Sequence, residues 1–206
     1  MPVVRDTIHD ILKIFQANLE SALNGLQTLP QDAARDNVII GNIAFAETPG
    51  NRSPSINDRL VLTVIKIEEE FTLKNQPAHR RNPVNGNLEY INPPAVLNLY
   101  VLLTANNNAY DKALLFLSRS IGYLQHQRVF TEENSVPVSG LGITRFNFNI
   151  NLYSPSFEQI NHIWGVLGGK QLPSVIYKLQ LVSIQYEDEP QAGDEIRTII
   201  LGETIY

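Results

Sequence analysis

The sequence contains no cysteine, one tryptophan and one methionine in 206 residues. Without cysteine, disulfide frameworks, thiolate zinc sites, iron–sulfur clusters and thiol nucleophiles are excluded together. Cationic residues are also scarce: 16 Lys and Arg stand against 21 Asp and Glu, a net charge of −5. A phosphate-backbone binder needs clustered Lys and Arg to displace counterions, so nucleic acid is not an expected partner. No apolar run approaches the ~18 residues of a bilayer span. The start, Met1-Pro-Val-Val-Arg-Asp6, lacks the charged region, apolar run and cleavage site of a secretion signal. The expectation is a soluble protein kept inside the producing cell until any release, with no direct membrane insertion. At ~150 residues per domain the length corresponds to a single domain, able to bury ~70% of the surface its unfolded chain exposes.

What is present is apolar periodicity. Ile8, Ile11, Leu12, Phe15, Leu19, Ala22 and Leu23 recur at spacings of three and four, which predicts a helix over Thr7–Asn24. Asp6 or Thr7 is placed to cap it and Gly25 to end it. His9, Asp10, Lys13 and Glu20 fall off this stripe and are expected to face solvent or a partner. Asn37–Ala46 reads as a buried strand in which Gly41 marks a bulge or a close backbone approach. Arg59–Glu69 reads as a strand with Leu60, Leu62, Val64 and Lys66 on one face and Val61, Thr63, Ile65 and Ile67 on the other. Apolar residues on both faces of its first half imply burial between two layers. Lys74–Pro94, with four of the twelve prolines, reads as a long irregular loop. Ala95–Thr104 is a heavily apolar strand, followed by a helix over about Ala109–Gln127 with Tyr110, Ala113, Leu114, Leu117, Ile121 and Leu124 as its stripe.

Ile143–Leu152 alternates cleanly, with Phe146, Phe148, Ile150 and Leu152 pointing one way. A short helix over about Ser156–Leu167 carries Phe157, Ile160, Ile163, Trp164 and Leu167. Ser174–Tyr186 reads as a long strand, residues 187–193 as an acidic turn, and Ile196–Leu201 as a last short strand. The mixed order α-β-β-β-α-β-α-β-β, without βαβ alternation, predicts an α+β fold: one domain with a mainly antiparallel sheet, two long helices and one short one. Residues 1–186 form the domain and 187–206 a C-terminal strand or tail.

Motifs of chemistry are weak. Gly165-Val-Leu-Gly-Gly-Lys170 has three residues between its outer glycines where a phosphate loop has four, and Gln171 where a magnesium-binding hydroxyl belongs. It reads as a helix C-terminus, with Gly168 or Gly169 at positive φ and Lys170 opposing the dipole. Glu158 and His162 share a helix face at a spacing of four, a geometry compatible with two metal ligands, but no third ligand is evident. Glu68-Glu69-Glu70 reads as a solvated strand end, and His79-Arg80-Arg81 as a small basic spot suited to an acidic protein surface. No catalytic residue and no cofactor site is identified.

Four segments nevertheless carry a resemblance: Ile8-His-Asp-Ile-Leu-Lys13, Val61–Glu70 leading into Thr72-Leu-Lys-Asn75, Pro94–Leu103, and Asn161–Lys170 followed by Leu172–Lys178. From about residue 6 to about residue 186 the chain resembles the N-terminal domain of the cap, or tail-terminator, proteins of extracellular contractile injection systems of the antifeeding-prophage and virulence-cassette type. That resemblance implies a non-enzymatic homohexameric ring at the end of a phage-tail-like particle away from its baseplate. The ring would stop growth of the inner tube and the contractile sheath, whose subunits are its partners. It also implies assembly in the cytoplasm, in a particle that is later released or tethered. Larger members carry a further C-terminal domain, for which a chain ending at Tyr206 is expected to have no room.

Such a ring needs self-complementary surfaces. The candidate interface comprises Asn161, His162, Trp164, Gly165 and Lys170, with His79, Arg80 and Arg81 in the long loop. Trp164 has two readings here, an interface anchor among small neighbours or a core residue beside Ile160 and Ile163. Two further functions stay open at this point: an adaptor docking such particles on a membrane-bound partner, and a small metal-dependent hydrolase using Glu158 and His162.

Overall fold

A computed structural model describes residues 7–24, 36–46, 55–71, 79–81, 88–90, 95–143, 145–184 and 191–193 of the chain. Helix α1 spans Thr7–Asn24, α2 Tyr110–His126 and α3 Phe157–Val166. The strands are β1 (Val38–Ile40), β2 (Arg59–Glu69), β3 (His79–Arg81), β4 (Leu88–Tyr90), β5 (Ala95–Asn106), β6 (Val129–Thr131), β7 (Asn147–Tyr153), β8 (Ser174–Ile184) and β9 (Gln191–Gly193). Six of them form one sheet in the order β1-β2-β5-β8-β7-β6, and β3-β4-β9 form a second, three-stranded sheet. Every described pairing is antiparallel except β1 on β2. The α+β class with a mainly antiparallel sheet is thus the observed one.

Alternation along the long strands divides the core. Leu60, Leu62, Leu99, Val101, Leu103, Phe148, Ile150, Tyr177 and Leu179 face α1 and α2, where Ile11, Phe15, Leu19, Phe116 and Leu124 complete the larger cluster. Val61, Leu102 and Ile176 face the other way, onto Trp164 of α3 and Ile43 of a single 3-10 turn, Ile43–Phe45. Because β5 is covered on both faces, its sequence is almost continuously apolar instead of alternating with polar residues. An irregularity between Val64 and Lys66 resets the register so that Lys66 lies opposite Tyr100.

Polar side chains of α1 tie this layer together: Asp10 and Glu20, expected to face solvent or a partner, bond instead to backbone of this chain. Asp10 is 3% exposed, and its carboxylate accepts the backbone N–H groups of Gly142 (2.7 Å) and Ile143 (3.2 Å). Asn18 accepts the N–H of Val136 at 3.1 Å and donates to the Ile14 carbonyl at 2.8 Å. Together they lash the 136–143 segment across the helix. Glu20 accepts the N–H groups of Asn37 and Val38 at 3.0 and 2.6 Å. A buried backbone donor without a partner costs about 1–3 kcal/mol, which is why polar residues persist on this face.

Several element boundaries differ from the sequence reading. The strand expected over Asn37–Ala46 stops at Ile40 because Thr63 Oγ1 donates to the Gly41 carbonyl and accepts from the Ile43 N–H, while Asn42 caps the 3-10 turn through the Ala44 N–H. Gly41 is a close approach as expected: a Cβ there would meet Ile56 Cγ2 at 3.0 Å. The stretch expected as a long loop, Lys74–Pro94, contains β3 and β4, and the acidic turn contains β9. β6 was not expected either, and β7 begins at Asn147 instead of Ile143. α2 buries Ala113, Phe116, Leu117, Ser120 and Leu124, whereas Tyr110 and Leu114 are exposed. Ser120 is admitted to that face because its hydroxyl donates to the Phe116 carbonyl at 2.8 Å. Asp6, Gly25 and the strand expected over Ile196–Leu201 lie outside the described residues.

Candidate functional site

The segment from Pro155 to Pro173 builds the surface that covers the second face of the sheet. Ser156 opens α3 with a capping box: its hydroxyl accepts from the Gln159 N–H at 3.3 Å, and Gln159 Oε1 accepts from the Ser156 N–H at 2.9 Å. At the other end Gly168 and Gly169 have φ of +114° and +85°, and the Gly169 N–H donates to the Trp164 carbonyl at 2.7 Å. Only glycine enters this conformation without strain, so the Gly-Gly pair is a helix stop, as its spacing indicated.

Trp164 is 5% exposed and packs with Val61, Leu102 and Ile176; its ring is a core element of this chain. Asn161, His162, Gly165 and Lys170 are all exposed around it. At the two ends of α3, Phe157 is 93% and Val166 87% exposed, and neither was singled out as an interface residue from the sequence. Between α3 and the ends of β7 and β8 runs a cleft of about 260 Å³ lined by Leu152, Tyr153, Pro155, Ile160, Ile163 and Trp164. Glu158 and His162 sit on the exposed side of α3, and no group of three or more potential metal ligands occurs among the described residues. His79, Arg80 and Arg81 belong to the other sheet, in register with Tyr90, Glu89 and Leu88.

Next to the α3 layer the same sheet face carries a polar, aromatic row. Lys66, Tyr100, Lys178 and Asn151 lie side by side on β2, β5, β8 and β7. Tyr100 donates its hydroxyl to Glu68 at 2.9 Å and meets the Tyr153 ring edge-on at 5.2 Å. The ammonium groups of Lys66 and Lys178 lie 5.2 and 5.7 Å from its ring centre, within cation–π range. Burial, and then the bond to Glu68, push the Tyr100 hydroxyl up to about 12. The Glu68 carboxyl is held below its usual value by hydrogen bonds from Lys66 and Tyr100. The run Glu68-Glu69-Glu70 is therefore not simply a solvated strand end, since Glu70 also accepts from Asn98 at 2.8 Å.

The outer strands of the six-stranded sheet are closed by side chains. On β1 the carbonyl of Val38 accepts from Gln16 at 2.8 Å while its N–H goes to Glu20. On β6 Asn134 donates to the Val129 carbonyl at 3.0 Å and accepts the Thr131 N–H at 2.9 Å. Occupied edge groups discourage indiscriminate strand addition. The sequence signal for Asn134 was its place just after a short β-branched run, which is too brief to register as periodicity.

This α+β arrangement accords with the comparisons. Residues 10–198 match the family model described as the Pvc16 N-terminal domain, and the chain belongs to that family. Among solved structures it is similar to the sheath/tube terminator of an extracellular contractile injection system, PVC, in the extended state. That likeness has a TM-score of 0.57 at 15% identity, and covers 98% of this chain and 65% of the other. It is also similar to the anti-feeding prophage tube-terminating cap, with a TM-score of 0.47 at 15% identity over 70% of this chain and 49% of that one. The chain thus spans just under two thirds of the PVC terminator it matches. No curated protein sequence matches it. Among the described residues no helix is long and apolar enough to cross a membrane.

Proposed function

We propose that this chain is a structural cap: six copies close into a ring at the end of a contractile particle, stop growth of its inner tube and sheath, and act by contact instead of catalysis. The observation that carries the reading is the likeness to a sheath/tube terminator over 98% of the chain. Membership of the Pvc16 N-terminal domain family supports it. A closed ring requires surfaces that meet neighbours. The rim of α3 provides such a surface, with Phe157 and Val166 exposed beside Asn161, His162, Gly165 and Lys170. Large apolar side chains left in solvent at both ends of one helix are available to a neighbouring subunit. His79, Arg80 and Arg81 add a second candidate contact for tube, sheath or a neighbouring copy.

Deleting the gene tests the reading directly. The expected result is few particles, or tubes and sheaths of uncontrolled length, restored to uniform length by the wild-type gene; particles of normal length in the deletion strain would sink it. In solution, six copies of 23.1 kDa would sediment at roughly 139 kDa and appear as rings by electron microscopy.

A further inference from the structure

α2 and α3 cover opposite faces of the six-stranded sheet, α2 through Ala113, Phe116 and Leu124 and α3 through Trp164, so their outer surfaces point away from each other. Neither outer surface is wholly polar. On α2, Tyr110, Leu114 and Leu115 are exposed, and on α3, Phe157 and Val166 are. The helical period places Tyr110 and Leu114 on one flank of the exposed side of α2 and Leu115 on the other, with Ser118 and Gly122 between them. α3 repeats this arrangement, with Phe157 and Val166 on its two flanks and Asn161 and Gly165 between. Glycine inside a helix weakens it. Yet a Cβ added at Gly122 or at Gly165 would meet no atom of this chain, so packing within the chain calls for neither glycine. A low strip bordered by large apolar side chains suits the close approach of a second helix.

Charge sets the orientation of that second helix. The one acid of α2, Asp111, lies in its first turn, while Arg119, His126 and, just beyond the helix, Arg128 make its other half basic. Lys112, next to Asp111, is turned over the Phe116 ring. The one acid of α3, Glu158, is likewise in the first turn, and Lys170 follows the last. Laid antiparallel, the two helices set acid near base at both ends; laid parallel, they set like charges together. The spacing agrees, since Phe157 to Val166 is ~13 Å and Gly122 to Leu114 is ~12 Å along the helix axis.

We infer that these helices are the two sides of one contact between copies of the chain. The outer face of α2 on one copy docks antiparallel on α3 of the next, with Phe157 over Gly122, Ser118 opposite Asn161 and Val166 against Leu114. Taken with the proposed ring, on which this contact rests, it supplies the two surfaces that close the ring. Because the surfaces differ and lie on opposite sides of the domain, the contact is head-to-tail, the kind that propagates around a ring instead of stopping at a dimer.

The absence of cysteine makes disulfide trapping a direct test. Mild oxidation of the full chain carrying both Ser118→Cys and Asn161→Cys should give a ladder of covalent oligomers that extends past the dimer, while each single variant stays monomeric. A disulfide needs Cβ atoms within ~4.5 Å, so only closely packed helices form one. Adding Gly122→Leu should cut the trapped yield at least ~10-fold without lowering the melting temperature, because the new side chain enters space that is open in the chain and blocks the second helix. Asp111→Lys should lower the yield ~3-fold, and Lys170→Asp in the same chain should restore it. A covalent dimer from either single variant, no ladder from the double variant, or a ladder that Gly122→Leu leaves intact overturns the contact. Gene deletion judges the cap separately. Tubes of uncontrolled length with no ladder would leave the cap standing and remove this contact, whereas a ladder alongside particles of normal length would do the reverse.

Discussion

On the α1–α2 side of the sheet, Phe15, Phe116, Phe130 and Phe148 are buried together, with Phe15 edge-on to Phe130 at 6.3 Å and Phe130 stacked on Phe148 at 5.2 Å. On the α3 side one large aromatic, Trp164, is buried, among aliphatic core neighbours, while Phe157 and Val166 of the same helix stand in solvent. The first layer also uses its polar residues inward, through Asp10, Asn18 and Glu20. The second leaves Asn161, His162 and Lys170 outward. One face of the sheet is therefore committed to holding the domain together, and the other is thin and retains apolar surface for contact. An 18-residue helix can satisfy both the core and its flanking loop, whereas a 10-residue helix covers only part of the sheet beneath it.

That contrast can be broken by substitution. Phe15→Ala should cost ~4–5 kcal/mol in urea unfolding, and Trp164→Ala ~3 kcal/mol, because the second layer has room to collapse into its cleft. Equal losses would remove the distinction between the layers. Asp10→Ala should cost ~2–3 kcal/mol, since two backbone N–H groups lose a charged acceptor. Hydrogen exchange should then accelerate at Gly142 and Ile143 ahead of the strands. Asn134→Ala should cost ~1 kcal/mol and raise self-association in light scattering by exposing the β6 edge groups. Phe157→Ala should change the melting point of the isolated chain by less than ~0.5 kcal/mol equivalent while weakening ring assembly. A large loss of chain stability there would assign Phe157 to the core.

The polar row around Tyr100 gives a pH signature for the α3 face. The Glu68 carboxyl lies below its ordinary value of 4.5 when folded, so its contribution is present above 4.5 and is lost as pH falls through the depressed folded value. Tyr100 moves from 10.0 to about 12, so its contribution is complete below 10 and is lost as pH rises towards 12. Tyr177 rises through the same alkaline window from burial alone. Phenolate absorbance in Tyr100→Phe and Tyr177→Phe should therefore each lack one late-titrating group. A Tyr100 that titrates near 10 would mean that neither its burial nor its bond to Glu68 holds in solution.

The three helices and the long strands β2, β5, β7 and β8 were legible because each carries enough residues for a period to emerge. β3, β4, β6 and β9 are three residues each, too short for a period to emerge, so no local pattern distinguishes them from loop. Asp10 was misplaced for a different reason, and Asn18 was not singled out at all. Both continue the row through Ile14 at spacings of four and so lie on the buried side, but sorting by polarity placed Asp10 among residues facing solvent or a partner. The α2 stripe was displaced in the same way by Ser120, a polar residue satisfied within its own helix. For the candidate contact surface, Asn161, His162 and Lys170 were identified in sequence, yet Phe157 and Val166 were not, because an exposed apolar residue looks like a core residue until its helix is docked.

By itself the sequence determined the α+β class, the helices and the two-sided burial of the central strands, because periodic hydrophobicity is a property of the chain's own geometry. Only the tertiary structure decided that Trp164 points inward and that Asp10 and Glu20 bond to backbone rather than to water. Those outcomes depend on which distant segment lies against each side chain, and the spacing of neighbouring residues carries no record of that.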